Sequence, residues 1–213
     1  MPLLYNGTKL IVRLLLFLLT CWQVKGRENI PSRGPIIIVA NHLSLADPPL
    51  LGASVNLRLV FMGKEELFHY RFLKYVVRGL GAIPMRRRRM LRKSLHQAEQ
   101  ILARGQALAL FPEGARSHSG QLRPGLPGPA LIALRSAAPV LPVGITGTEK
   151  IKGLAWLLRR PPITVNIGRP FYLTPSGSRP TKKELTEYVN SIMWNIAALL
   201  PVEYRGYYAR QGD

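Results

Sequence analysis

The run Pro35-Ile36-Ile37-Ile38-Val39-Ala40 limits the fold more than any other stretch of this chain. It is continuously apolar and rich in β-branched residues, without the alternation of a half-exposed strand, so it predicts a strand covered on both faces. Such strands belong to sheets with helices packed on either side. Asn41 and His42 stand directly after it, and Asp47 follows five positions beyond the histidine. Open α/β sheets place chemistry at the carboxyl ends of their strands. Asn41, His42 and Asp47 are therefore the first candidate site residues. A second apolar run, Ala107 to Phe111, leads in the same way into Pro112, Glu113, Gly114 and Arg116.

The rest of the pattern fits an α/β domain. Further strands are expected at Leu57 to Met62, at Ala82 to Met85 as a short edge, at Val140 to Ile145 and at Ile163 to Ile167. Proline donates no ladder hydrogen bond, so Pro142 predicts an edge or a bulge in the third of these. Helices are expected within Leu67 to Leu80, over Arg89 to Ala103, where Leu91, Leu95, Ala98 and Leu102 share a face, and over Gly128 to Ala137. The last helix opens on a capping box, Thr181 with Glu184, and offers Leu185, Val189, Ile192, Met193 and Ile196 as its buried stripe.

Residues 1–25 read as a separate N-terminal segment and 26–213 as the domain. Ile11 to Trp22 contains Arg13 and is shorter than the roughly 20 apolar residues a membrane span requires. Cys21 to Lys25 offers no small-x-small cleavage site. An amphipathic, membrane-associating helix is expected, with Lys9, Arg13, Trp22 and Lys25 in the headgroup layer. The alternative is a first helix buried against the domain. Charge supports a polyanionic partner: 30 Lys and Arg against 11 Asp and Glu give a net +19. That excess suits phospholipid headgroups or nucleic acid and does not choose between them. The single cysteine, Cys21, excludes a disulfide framework and a cysteine metal site, and the four histidines are too scattered for HExxH. No metal is expected. Neither GxGxxG nor GxxxxGK[ST] occurs, so dinucleotide and P-loop chemistry have no motif.

The chemistry follows from residue types. A histidine held in one tautomer by a carboxylate serves as a general base, and a turn between His42 and Asp47 brings the two together. Pro48 and Pro49 limit any helix that continues from there. Ser44 completes a His-Asp-Ser set but lacks the G-x-S-x-G elbow of a nucleophile, so it reads as a structural hydroxyl. Gly114 allows a close approach, Glu113 can orient a hydroxyl or hold an arginine, and Arg116 presents a fork for phosphate or carboxylate. Arg87 and its neighbours Arg86, Arg88, Arg89, Arg92 and Lys93 form a basic run that reads as solvated surface or as a headgroup or nucleic-acid contact. Alternatively, one of its arginines, following the Gly81-Ala82-Ile83-Pro84 turn, points into the same site as Arg116, where two guanidiniums make a natural clamp around one phosphate monoester.

Asn41-His42-Leu43-Ser44-Leu45-Ala46-Asp47 matches the NHxxxxD motif, and Phe111-Pro112-Glu113-Gly114-Ala115-Arg116-Ser117 resembles the FPEGTRS block, of the glycerolipid acyltransferases of the bacterial 1-acylglycerol-3-phosphate acyltransferase type. Gly81 to Arg87 resembles their second block and Ala138 to Val143, with Pro142, their fourth. The likeness runs in family order over roughly residues 26 to 170. Two positions depart from it: Ala115 replaces the usual threonine, and Arg86 stands where many members carry aspartate. The resemblance implies the glycerolipid acyltransferase fold, a mixed, mostly parallel sheet covered by helices. It implies one-step transfer from acyl-CoA or acyl-carrier protein, as co-substrate and not cofactor, to a lysophospholipid acceptor. His42 and Asp47 would be catalytic; Arg87, Glu113, Gly114 and Arg116 would bind the acceptor phosphate; Asn41, Ser44 and Pro142 would be structural. The expected setting is an anionic phospholipid membrane, peripheral or monotopic on its cytoplasmic face, with no nucleic acid. The rivals are the same chemistry on glycerol-3-phosphate, lysophosphatidylglycerol or an amino-lipid, a non-catalytic basic binding protein, and a Ser44 hydrolase.

Overall fold

The computed structural model describes residues 2–64, 83–85, 91–151, 153, 156–175, 177 and 180–209. Arg87, its neighbours Arg86, Arg88 and Arg89, and the helix expected within 67–80 lie outside them. The strands are β1 (Cys21–Lys25), β2 (Ile36–Ala40), β3 (Leu59–Lys64), β4 (Ile83–Met85), β5 (Ala107–Leu110), β6 (Val140–Thr146) and β7 (Pro162–Ile167). They form one seven-stranded sheet in the order β1-β7-β6-β2-β5-β3-β4. Every pairing is parallel except β6 with β7, so β7 and β1 run against the other five. The mixed, mostly parallel sheet expected from the sequence is present.

The helices are α1 (Pro2–Leu19), α2 (Asp47–Ser54), α3 (Leu91–Ala103), α4 (Pro127–Ser136), α5 (Trp156–Arg159), α6 (Lys182–Ala197) and α7 (Val202–Arg205). Successive residues of a strand point to opposite faces, and β2 shows why its whole run is apolar. Ile37 and Val39 pack into a core built with α3, α4 and α6, while Ile36 and Ile38 pack into a second core with Leu50 and Leu51 of α2. All five β2 residues are fully buried, and each isoleucine contributes roughly 1.5–3 kcal/mol by leaving water.

Pro142 lies in an interior strand, flanked by β2 and β7. The edge alternative is thereby corrected, and the bulge alternative explains how the proline is tolerated. Val143 pairs with Ile167, yet three residues earlier Val140 pairs with Phe171, so the partner chain has gained one residue. The missing N–H falls beside that extra residue, while the Pro142 carbonyl still accepts from the Gly168 N–H at 2.9 Å. Pro48 and Pro49 also act otherwise than expected. They occupy the first turn of α2, where a helix has unpaired N–H groups in any case, and so begin the helix instead of limiting it. The capping box at Thr181 forms as expected, with both reciprocal bonds.

The N-terminal segment differs from its reading in two ways. Helix α1 stops at Leu19, and residues 21–25 form an edge strand paired in parallel with β7. Alternation in Cys21-Trp22-Gln23-Val24-Lys25, with Trp22 and Val24 turned to the core, is the strand signal that the helical reading passed over. Second, the cations of α1 face the protein. Lys9 Nζ donates to the Val55 carbonyl at 2.5 Å, and Arg13 donates to the Ala53 carbonyl at 2.9 Å and to Asn56 Oδ1 at 3.2 Å. Cations suit the carbonyls at a helix C-terminus, here that of α2. Burial, with the nearby Arg13 adding, lowers Lys9 to about 8. Tyr5, spaced four residues before Lys9, is buried and bridges the Leu57 carbonyl and the Leu59 N–H. The opposite side of α1 exposes Leu10, Ile11, Leu14, Leu15, Phe17 and Leu18. No described helix is long and apolar enough to cross a membrane.

Candidate active site

Strands β6, β2 and β5 are adjacent and parallel, so their carboxyl ends meet at one edge of the sheet. Asn41 ends β2. Its side-chain amide donates to the Ile145 carbonyl at 2.8 Å and accepts from the Ile145 N–H at 2.7 Å. It thus continues the β2–β6 ladder with a side chain.

His42 comes next, and the chain turns immediately so that Asp47 opens α2. The Asp47 carboxylate is fully buried. Its Oδ2 accepts from the Leu43 N–H at 2.6 Å, the Ser44 N–H at 2.7 Å and His42 Nδ1 at 2.8 Å. Its Oδ1 accepts from the Thr148 hydroxyl at 2.6 Å. A carboxylate surrounded by donors acts only as an acceptor, which assigns the imidazole proton to Nδ1 and leaves the lone pair on Nε2. The His42 side chain is 15% exposed and stacks on Phe111, with ring centroids 4.2 Å apart and planes 22° from parallel. Ser44 Oγ accepts from the Ala46 N–H at 3.3 Å, inside its own turn.

Glu113 sits elsewhere than the sequence suggested. Its side chain is turned into the protein and the residue is 4% exposed. One carboxylate oxygen accepts from the His42 N–H at 2.9 Å and the other from the Arg123 N–H at 3.1 Å. The carboxylate thus forms a strut between two loops. Burial pushes Glu113 up to about 7, against the two amide bonds and Arg123, which hold it down. The same loop grips His42 on its other side, because the Ser117 N–H donates to the His42 carbonyl at 2.7 Å. Gly114 has φ +68°, and a Cβ there would lie 2.4 Å from Leu126 Cδ1, so the close approach expected of it is made by Leu126. Arg116 is exposed in this loop and free to meet an anion from solvent.

The loop is held from behind by the C-terminal segment. The Leu122 N–H donates to the Tyr204 carbonyl at 2.8 Å, and the Gly125 N–H to the Tyr208 hydroxyl at 3.2 Å. Tyr204 donates its own hydroxyl to Glu149 at 2.8 Å.

Three site residues escaped the sequence reading: Thr148, Phe111 as a stacking partner, and Arg123 as an amide donor to Glu113. A signal for Thr148 existed. The rule that selected His42 and Glu113, polar residues where a buried strand stops, applies equally to the end of β6 at Gly147-Thr148. For Arg123 no local signal exists, since its contribution is a backbone N–H.

Comparison with known proteins identifies the family and the fold. The sequence model of the acyltransferase family matches residues 21–146. The chain is 30% identical over 155 residues to a chloroplastic 1-acyl-sn-glycerol-3-phosphate acyltransferase of Brassica napus, covering 70% of this chain and 45% of the relative. It is 24% identical over 178 residues to a 1-acyl-sn-glycerol-3-phosphate acyltransferase of Bacillus subtilis, covering 83% of this chain and 87% of that one. With the relatives from Brassica napus and Borreliella burgdorferi the chain spans about half of their length, 45% and 51%. The crystal structure of the 1-acyl-sn-glycerophosphate acyltransferase of Thermotoga maritima superposes with a TM-score of 0.70 at 28% identity, covering 92% of this chain and 78% of that one.

Proposed function

This chain belongs to the acyltransferase family, and from that premise we propose that it transfers a fatty acyl group from acyl-CoA or acyl-carrier protein to the free hydroxyl of 1-acylglycerol-3-phosphate, forming phosphatidic acid. The observation that carries the reading is the 2.8 Å contact of His42 Nδ1 with the buried Asp47, which leaves Nε2 as a base at the mouth of the site. His42 Nε2 takes the proton of the acceptor hydroxyl as its oxygen attacks the thioester carbonyl. The tetrahedral adduct collapses with loss of the thiolate, and the imidazolium returns the proton to that sulfur. No covalent acyl-enzyme and no metal enters the scheme. Arg116, together with Arg87, supplies the guanidinium pair for the acceptor phosphate. Glu113 and Gly114 shape the loop that carries Arg116, and Asn41, Ser44 and Pro142 hold the strand ends.

The apolar side of α1 and the net charge of +19 support association with an anionic phospholipid membrane, peripheral or monotopic on the cytoplasmic face. Lys9 and Arg13 take no part in that contact, since both are committed to α2. The test is transfer of labelled acyl groups from acyl-CoA and from acyl-carrier protein to lysophosphatidate, other lysophospholipids and glycerol-3-phosphate, with His42→Ala beside wild type. Phosphatidate formed by wild type and absent with His42→Ala is the expected result. Transfer to another acceptor alone moves the substrate and keeps the mechanism. Product undiminished in His42→Ala overturns it.

A further inference from the structure

From the closed ring of contacts around Asp47 we infer that Thr148 is a positioning residue for the His42–Asp47 pair, acting through the carboxylate it holds. The inference concerns the geometry of the pair and rests on the acyltransferase reading only for its kinetic readout. Thr148 is fully buried, and its hydroxyl spends its proton on Asp47 Oδ1 at 2.6 Å. Asp47 Oδ2 already takes two backbone amides and His42 Nδ1. Without Thr148, the three remaining donors would all act on Oδ2, and the buried Oδ1 would lose its donor. The threonine satisfies Oδ1 and anchors the carboxylate from its second oxygen, which steadies the direction in which Oδ2 meets the imidazole.

The brace is itself built with care for where the hydroxyl lands. Asn41 ties the end of β2 to Ile145 through two hydrogen bonds, three residues before Thr148. Gly147 then turns the chain at φ +89°, where a Cβ would lie 2.1 Å from the Pro162 carbonyl oxygen. Only glycine can make this turn without displacing the backbone of β7. The Thr148 side chain therefore arrives at Asp47 from a strand whose end is fixed by the residue preceding His42. The path runs His42, Asn41, Ile145, Gly147, Thr148, Asp47 and back to His42. A shift of any member is felt at the imidazole. Tyr204 reinforces the ring from outside through Glu149, the next residue.

The experiment compares Thr148→Val, which keeps shape and loses the donor, with Thr148→Ser, which keeps the donor, in the full chain. Thr148→Val should lower kcat about 10-fold, the low end of the range for residues that orient ligands of a catalytic metal from the second layer, while KM for donor and acceptor stays within about twofold. Thr148→Ser should restore most of kcat. A second readout does not depend on acyl transfer. In protein with ¹⁵N-labelled histidines, assigned by His42→Gln, the His42 ring of wild type should show a protonated Nδ1, and Thr148→Val should show averaging between tautomers. If Thr148→Val does not fold, Thr148→Ala serves as the donor-less variant in both measurements. Wild-type kcat and an unaltered imidazole spectrum in a donor-less variant overturn the inference, as does a loss of kcat that Thr148→Ser shares in full. Should wild type transfer no acyl group, the spectrum still decides the role of Thr148, and only the enzymatic reading falls.

Discussion

Glu113 carries the sharpest quantitative consequence of this structure. Its carboxyl ordinarily ionises near 4.5, and burial raises it to about 7. Between those two values the folded protein retains a proton that the unfolded chain has released. Stability therefore falls as pH rises through this window and levels off above it. The interval from 4.5 to about 7 corresponds to about 3 kcal/mol in total, a large share of the 5–15 kcal/mol typical of a domain. Glu113→Gln removes the ionisation. It also places an NH₂ against one of the two amides, His42 or Arg123, leaving that N–H without an acceptor at a pH-independent cost of about 1–3 kcal/mol. Denaturant unfolding of both proteins in detergent at pH 5, 6, 7 and 8 gives two curves whose difference cancels every other titrating group. Glu113→Gln should be the less stable at pH 5 and should gain on wild type by about 2.5 kcal/mol by pH 8. A gap that stays constant from pH 5 to 8 would refute the buried, ionising Glu113. Transfer should fall in the variant even at pH 8, because one end of the strut is lost. A variant with the wild-type rate would show that Glu113 does not hold His42.

Gly114→Ala should destabilise by about 2–4 kcal/mol, since a Cβ 2.4 Å from Leu126 Cδ1 adds a clash to the left-handed strain. In Gly114→Ala/Leu126→Ala the clash is gone, and thermal unfolding should show only about 1–2 kcal/mol beyond Leu126→Ala alone. Phe17→Ser should weaken partition to anionic vesicles about tenfold, since a side chain 69% exposed carries most of the roughly 1.5–3 kcal/mol of a large apolar group. Sedimentation with vesicles measures it, and unchanged binding would show that this face of α1 does not meet lipid.

The legible part of the fold was the part set by local pattern. Ile36 to Ala40 declared a strand buried on both faces, and Thr181 with Glu184 declared a helix start, because each signal lies within a few residues. The two loops of the site were legible because a polar residue after a buried strand is conspicuous. Partners decided by long-range pairing stayed hidden. Glu113 looks like an exposed loop carboxylate until strand order sets β5 beside β2 and aims it at the His42 N–H. Thr148 lies 101 residues from Asp47, and only the adjacency of β6 and β2 joins them. Pro142 shows the same limit: the sequence tells that a ladder bond is missing, but whether an edge or a bulge absorbs it depends on where β7 and Phe171 lie.

Helix α1 was legible as amphipathic and misread in orientation, and the reason links it to the site. Lys9 and Arg13 were assigned to lipid headgroups because cations on an apolar helix usually face the interface. Here the C-terminal carbonyls of α2 are nearer, and they accept from both. The other end of α2 is Asp47. Eight residues at 1.5 Å each make α2 a rod of about 12 Å, with the apolar helix bolted to one end and the carboxylate of the His42 pair at the other. In the proposed membrane-bound state, the height of the site above the bilayer would be set by α2 and not by a flexible tether. Arg13→Ala breaks two of the bolts while leaving every exposed apolar residue in place. It should bind anionic vesicles as wild type does, and transfer to a short-chain, monomeric lysophosphatidate should be little changed. Transfer to a long-chain acceptor embedded in vesicles should fall several-fold, as the docking loses about 1–3 kcal/mol of charged hydrogen bonding. Equal rates on embedded and monomeric acceptors in Arg13→Ala would show that the α1–α2 contact does not set the approach to the membrane.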